Sequence, residues 1–489
     1  MSRPSEPTRK KTKPTAVDVA APVPAASGAG APAPIPTRIE TYEQALAFLD
    51  TRTNVERTRP SKVDPRVWKL DRMRALVDAL GNPQRAVKFV HIAGSKGKGS
   101  TCEMVASCLS ACGYATGLYT SPHLVDLRER IRIGREMISK SAFAEHIAKV
   151  ASVLPGVEKK FGEVTFFECV TAVALCHFAS EAVDVAVMEV GLGGRLDSTN
   201  IIDPEVCGIT SIQLEHKEIL GDTVEKIARE KAGIMKPGVT CLTVPQKPGV
   251  IEVFKEVAAA SGAELRVLGE NGSGIDFSHR FEASPEIGPH IKVNLSTSRS
   301  NFEHLPVPLR GEHQAFNCGL ALAILDKLKD RGFEIREREV AKGLAGTPNH
   351  GRMEVIATLP RVVVDGAHNP ESVHGLMRAI GAHMKYDSMV VIFGCAADKD
   401  VPGMLAKVAL GADKIIFTKA TGHARGVEPR ELQRRFAEVS HKMAQIAPSV
   451  KDAIVMASHA VTRDDLICVT GSFYLAGEAK KLLLAAKKG

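Results

Sequence analysis

Between Gly94 and Thr101 the chain reads Gly94-Ser95-Lys96-Gly97-Lys98-Gly99-Ser100-Thr101. Glycines allow successive backbone N–H groups to turn inward on an anion. Lys98 can reach the outer phosphate oxygens of a nucleoside triphosphate. A hydroxyl at Ser100 or Thr101 can touch a phosphate or a magnesium ion. The general phosphate-loop pattern is G-x-x-x-x-G-K-[ST], and here Gly99 intervenes between Lys98 and Ser100. The same residue types also make ordinary basic loops. The phosphate-loop reading rests on context, a buried strand before the loop and an amphipathic helix after it. A second chemistry-bearing residue is Glu189, near the C-terminal end of the apolar run VDVAVMEV (183–190). In open α/β sheets that end is where ligands bind.

The elements that must hold these residues follow from periodicity. KFVHIA (88–93) reads as a buried strand. From Glu103 to Cys112, Met104, Cys108 and Cys112 share one helical face, and Gly113 stops the helix. Tyr114–Tyr119 and Val206–Ile212 read as further strands, and Phe167–Ala179 as a helix. Asp222 and Glu225 have capping-box spacing for a helix 222–235, ended by Pro237-Gly238. Strand–helix alternation predicts a mostly parallel sheet covered on both faces. Residues 270–308 suggest antiparallel strands. A second αβ series starts with a helix over 314–329. It continues through strands at 362–365, 389–394, 414–418 and 466–471. The expected organisation is a disordered tail (1–37) rich in Pro and Ala, a nucleotide-binding domain (38–308) and a smaller α/β domain (309–489).

Bulk properties narrow the class. The chain has 489 residues, 44% hydrophobic and 25% charged, with a formal charge of +8, which suits anionic small molecules. Lysines and arginines are dispersed and aromatics are only 5%, which argues against nucleic acid as partner. The ten cysteines form no CxxC pair, so reduced thiols are expected rather than zinc or disulfides. No apolar run is long enough to span a membrane, and the basic start is followed by Ala, Pro and Gly. A cytoplasmic location is expected.

Further motifs occur in a fixed order: LGNPQ (80–84), HIAGSKGKGST (91–101), YTSPHL (119–124), TFFE (165–168), EVGLGGRLDSTN (189–200), EHKEILGDTVEKIAREKAGIMKPG (215–238), GEHQAFN (311–317), GR (351–352), DGAHNP (365–370) and DKD (398–400). Over about residues 40–485 the chain thereby resembles the folate branch of the Mur-ligase superfamily, the folylpolyglutamate synthases and dihydrofolate synthases. The fold implied is a phosphate-loop, mostly parallel α/β domain like the Mur ligase central domain, followed by a smaller Rossmann-like α/β domain. The activity implied is ATP-dependent amide formation. A carboxylate of dihydropteroate or a reduced folate becomes an acyl phosphate, and the amine of L-glutamate then attacks it. The resemblance implies ATP contacts from the whole loop Gly94–Thr101 and from Asn317, Arg352, Asp365 and His368. It implies two magnesium sites held by Ser121, Glu189, His216 and Lys231, with Lys231 carbamylated. Lys98, Lys231 and His216 are the implied catalytic set. Thr165, Phe166 and Asp197 are placed on the pterin side. A monomer working on small molecules is expected.

The chain departs from the family pattern in places. Lys96 stands where Asn is usual, Ser95 where Thr is usual, and Glu215 where Asp precedes the histidine. The approach to Arg352 runs through Pro348-Asn349-His350-Gly351, and Cys395 replaces an apolar residue. Two other readings compete: a different superfamily ligase, such as a UDP-muramyl–amino acid ligase, and a non-catalytic ATP-binding scaffold. The GKGS loop, SPHL and TFFE favour folate, and the intact polar set favours catalysis.

Overall fold

The computed structural model describes residues 38–56, 70–284, 288–421 and 425–486. The expected disordered tail, 1–37, lies outside the described residues. Among the described residues three sheets form. The first has eight strands in the order Glu136–Met137, Ile131–Ile133, Thr116–Tyr119, Val185–Glu189, Lys88–Ala93, Pro204–Ile209, Thr240–Thr243 and Glu264–Val267. Its pairings are parallel except at the edge formed by the first three. The central strands are buried along their length, as runs such as VAVME and KFVHIA require when helices cover both faces. The second sheet has six strands, Glu354–Thr358, Arg361–Val364, Leu466–Thr470, Met389–Phe393, Lys414–Phe417 and Ala444–Ile446, parallel after the first pair. The expected antiparallel stretch is a three-stranded sheet of Asp276–Ser284, Gly288–Ser296 and Asn301–Pro306.

Three local expectations change. The helix after the loop runs from Lys98 to Ala111, not from Glu103, with Gly97 as its N-cap. The glycine-rich residues 98–101 are therefore its first turn; Thr101 N donates to Gly97 O at 2.9 Å, and the N–H groups of Lys98, Gly99 and Ser100 have no intrahelical partner. The cap of helix Val224–Ala232 is Thr223, whose side chain accepts from Lys226 N, while Asp222 pairs with Lys226 Nζ at 2.7 Å on the surface. The third concerns helix His313–Leu328, expected in the second domain. Ala315, Cys318, Leu322 and Ile324 share one core with Val90, Cys108, Val206 and the three-stranded sheet. Its apolar faces complete the first sheet's helical layer. We therefore place the domain boundary in 346–353, between helix Glu337–Ala345 and the second sheet, rather than at 308.

Separate cores lie on the two faces of the second sheet. The described residues form one compact unit. No helix among the described residues is long and apolar enough to cross a membrane.

Candidate active site

Strand Lys88–Ala93 lies between parallel neighbours Val185–Glu189 and Pro204–Ile209, so three C-terminal strand ends converge around Gly94. The phosphate loop leaves from this point. Ser95 N donates to Ser211 O at 3.0 Å, and Lys96 bridges to the same residue. Ser95 Oγ donates to Gln213 O and accepts from Gln213 N, at 3.1 and 3.0 Å. These bonds fix the loop against the segment leading to Glu215 and His216.

Two lysines converge on one carbonyl. Lys98 Nζ donates to Gly94 O at 3.0 Å, and Lys231 Nζ donates to it at 2.8 Å. Lys231 comes from helix Val224–Ala232, is fully buried, and pairs with Glu215 at 2.9 Å. Burial pushes the Lys231 ammonium down, and Glu215 opposes this. Burial pushes the Glu215 carboxyl up, but Lys231, Lys98 and Lys96 outweigh it and hold the group well below the usual carboxylate range. The longer Glu at this position thus has a clear job: it balances the cations.

Glu189, at its strand end, is 4% exposed and accepts from Ser121 N at 3.1 Å. Burial raises its pKa, and Lys98, the Ser121 bond and Arg352 oppose the rise. Ser100 Oγ accepts from Gln314 Nε2 at 3.3 Å, and Gln314 Oε1 accepts from Asn317 Nδ2 at 2.9 Å. Thr101 Oγ1 is buried without a hydrogen-bond partner. Gly97 has a left-handed φ of 92°, and a Cβ there would collide with the Asn317 amide. A Cβ on Gly99 would collide with Arg352 Nη2. Gly97 therefore requires glycine by its φ, whereas at Gly99 an added Cβ would have to displace the end of the Arg352 side chain.

Arg352 arrives from the second sheet's side. Its N–H donates to Asn349 O at 2.8 Å, which closes the turn before strand Glu354–Thr358. Asp365, at the end of strand Arg361–Val364, accepts from Met353 N and Ala367 N, both at 2.8 Å. Burial raises its pKa to about 6, against these bonds and Arg352. Asp365 thus braces the Arg352–Met353 turn. His368 lies in the loop between that strand and helix Pro370–His383, four residues after Val364, and its Nε2 is 3.2 Å from Lys96 Nζ.

The expected pterin-side residues are held by internal bonds. Thr165 caps helix Phe166–Ser180 through a capping box with Glu168, which Arg72 grips at 2.9 Å. Asp197 accepts from Leu192 N, Thr199 N and Thr199 Oγ1, at 2.8, 3.0 and 2.5 Å. Phe166 is buried, with the Arg130 guanidinium 5.5 Å from its ring centroid. His216 has a left-handed φ of 47° and opens the short helix Lys217–Leu220. Among the described residues no three His, Cys, Asp or Glu side chains are grouped to hold a metal. The expected donors Ser121, Glu189 and His216 include a hydroxyl, so solvent or nucleotide oxygens would have to complete any shell.

Sequence reasoning missed several participants. Gln314 links the loop hydroxyl to Asn317. Arg130 bonds both Glu56 oxygens, at 2.9 and 2.6 Å, and His123 Nδ1 at 2.9 Å. Gln314 lay inside GEHQAFN and could have been named, whereas Arg130 in LRERIRI carries no spacing signal. A surface cleft lined by Asp71, Arg74, Asp78 and Arg85 also touches Val87 and Asp203. That places it at the N-terminal ends of the central strands, away from the phosphate loop.

Comparison with known proteins identifies relatives of the chain and of its fold. Residues 92–325 match the Mur ligase middle domain, and 351–473 match the Mur ligase glutamate ligase domain. The folylpolyglutamate synthase of Lacticaseibacillus casei is 32% identical over 85% of this chain and 94% of its own. A probable bifunctional folylpolyglutamate synthase/dihydropteroate synthase of Haloferax volcanii is 34% identical over 83% of this chain. The present chain spans about half of that relative's length, 47%. The solved Mycobacterium tuberculosis folylpolyglutamate synthase complexed with ADP superposes with a TM-score of 0.80 at 30% identity, covering 90% of this chain and 98% of that one. With both Mur ligase domains present, and with full-length relatives above 30% identity, the chain belongs to the folylpolyglutamate synthase/dihydrofolate synthase family.

Proposed function

We propose that the protein is an ATP-dependent ligase that joins L-glutamate to dihydropteroate, to folyl(poly)glutamate, or to both. The observation that carries this reading is Arg352. A guanidinium from the second sheet's side lies against Gly99 of the phosphate loop, within reach of Glu189. Phosphoryl transfer asks the protein for positioning and charge neutralisation rather than covalent chemistry. Loop N–H groups and the helix N-terminus hold the phosphates. Lys98 and Arg352 offset charge on the transferring group. An acceptor carboxylate oxygen attacks the γ-phosphorus and the bond to ADP breaks. The glutamate amine then attacks the acyl carbon, a C–N bond forms, and phosphate leaves with the C–O electron pair. The amine proton passes to solvent. Asp365 acts through the Arg352 turn, and Asn317 fills the space left by Gly97.

The donors fit magnesium: a buried carboxylate at Glu189, the hydroxyls of Ser121 and of the unpartnered Thr101, and the imidazole of His216. Magnesium, when bound, would neutralise phosphate charge. Carbamylation of Lys231 is part of the same reading. Its buried amine is biased toward the neutral form that reacts with carbon dioxide. A carbamate there would face Glu215 as a like charge, which a second magnesium would offset. Thr165, Phe166 and Asp197, with Arg130, line the proposed pterin side. We place the enzyme in the cytoplasm as a monomer acting on small molecules.

The test is phosphate release from ATP with dihydropteroate, tetrahydrofolate or a UDP-muramyl acceptor, each with and without L-glutamate. Glutamate-dependent release with a pterin acceptor supports the proposal. Release with the UDP-muramyl acceptor alone would replace it with the cell-wall reading.

A further inference from the structure

Lys96 is half-buried. Its Nζ lies 3.2 Å from Nε2 of His368, which follows strand Arg361–Val364 of the second sheet. The other ring nitrogen, Nδ1, is 2.8 Å from Gly366 O. A carbonyl only accepts, so Nδ1 carries the proton and Nε2 is a bare acceptor. The Lys96 ammonium therefore donates to His368. Both ends of this bond are anchored. The Lys96 backbone bridges to Ser211. His368 N donates to Ser372 Oγ at 3.1 Å, and its ring lies 5.8 Å from that of Phe473. The bond joins the phosphate loop directly to the second sheet.

The surroundings of Lys96 suit an anion. Burial, together with Lys98, Lys399 and Lys231, pushes its ammonium down to about 8, against the pull of Glu215. An ammonium has three hydrogens and His368 takes one.

We propose that Lys96 is a positioning residue that couples nucleotide binding to docking of the second sheet on the phosphate loop, one hydrogen remaining on His368 while another takes a nucleotide phosphate oxygen. The proposal rests on the reading of this loop as the ATP site. A shorter, uncharged side chain at this position could not supply the same charge-assisted tie. Arginine can, because its fork offers several donors in one plane.

The test uses the full chain as wild type, Lys96→Met and Lys96→Arg. ADP affinity is measured by calorimetry, the KM for ATP and kcat by steady-state kinetics, and the radius of gyration by X-ray scattering with and without ADP. Lys96→Met is expected to weaken ADP binding about tenfold, the loss of one charge-assisted hydrogen bond. It should raise the KM for ATP more than it lowers kcat and expand the nucleotide-free molecule. Lys96→Arg should recover most of each effect, which a misfolded variant would not explain. Weaker ADP binding with unchanged scattering would make Lys96 a plain phosphate contact and overturn the coupling. Expansion with unchanged ADP affinity would overturn it equally. A wild type that binds no ADP would overturn the ATP reading and the coupling together. The scattering of Lys96→Met would still report whether the tie to His368 exists.

Discussion

Lys98 and Lys231 donate to the same carbonyl, that of Gly94, so the phosphate loop holds its own cations in place before any phosphate arrives. Lys98→Ala removes the loop's principal phosphate-facing charge, and ATP-dependent ligation should fall at least a hundredfold. Unchanged turnover would refute the assignment of the loop. A second residue-scale prediction concerns pH. His91 is fully buried on the strand that feeds the loop, 2.9 Å from Thr199 Oγ1, and burial, with a smaller push from Lys236, lowers its pKa to about 3. The unfolded chain takes up this proton near 6.5 and the folded chain does not, so stability is full above that pH and is lost as pH falls toward 3. The loss at pH 5 is about 2 kcal/mol. The pKa values of His146, His177, His313 and His368 are lowered in the same direction, so the test is the change: His91→Gln should shrink the pH 7-to-5 difference in urea unfolding by about 2 kcal/mol relative to the wild type. Equal differences would remove His91 as the cause. The lysines, glycines and Glu189 were legible because one short segment carries each. Gln314 stood inside the motif GEHQAFN without being named, and Arg130 was not legible because its carboxylate partner Glu56 is 74 residues away.

At the scale of elements, the strand–loop–helix unit was legible from KFVHIA and the apolar face of Met104 and Cys108. Its junction was not. A polar, glycine-containing turn scores poorly as helix, yet Lys98–Thr101 is helical because the loop's bonds to Ser211 and Gln213 orient it. The cap of helix Val224–Ala232 was missed by one residue for a related reason: Asp222 and Thr223 are both good caps, and only the backbone direction selects between them. Thr223→Ala should therefore destabilise the protein by about 1 kcal/mol in chemical denaturation. Asp222→Ala should leave stability unchanged, since its partner Lys226 is exposed. The reverse order would restore the cap read from the sequence.

At the scale of the whole molecule, the proposed phosphate site draws on two sheets. The first supplies the loop, Glu189 and Lys231; Arg352 and His368 come from the side of the second. Motif order in the sequence does not show which of these residues meet, because a contact such as Lys96–His368 depends on how the cores of two different sheets pack together. Helix His313–Leu328 begins a new αβ series in sequence but buries its faces in the earlier core. Arg352→Ala should lower kcat/KM at least a hundredfold while the melting temperature stays near that of the wild type, since the guanidinium serves the phosphates. An equal loss of melting temperature would make Arg352 a structural strut. The chemistry that unites both sheets is formation of an acyl phosphate, and oxygen transfer reports it directly. An acceptor whose carboxylate carries a heavy-oxygen label should, on ligation to glutamate, deliver one labelled oxygen to the released phosphate. Unlabelled phosphate from a reaction that still forms the amide would contradict the acyl-phosphate ligase.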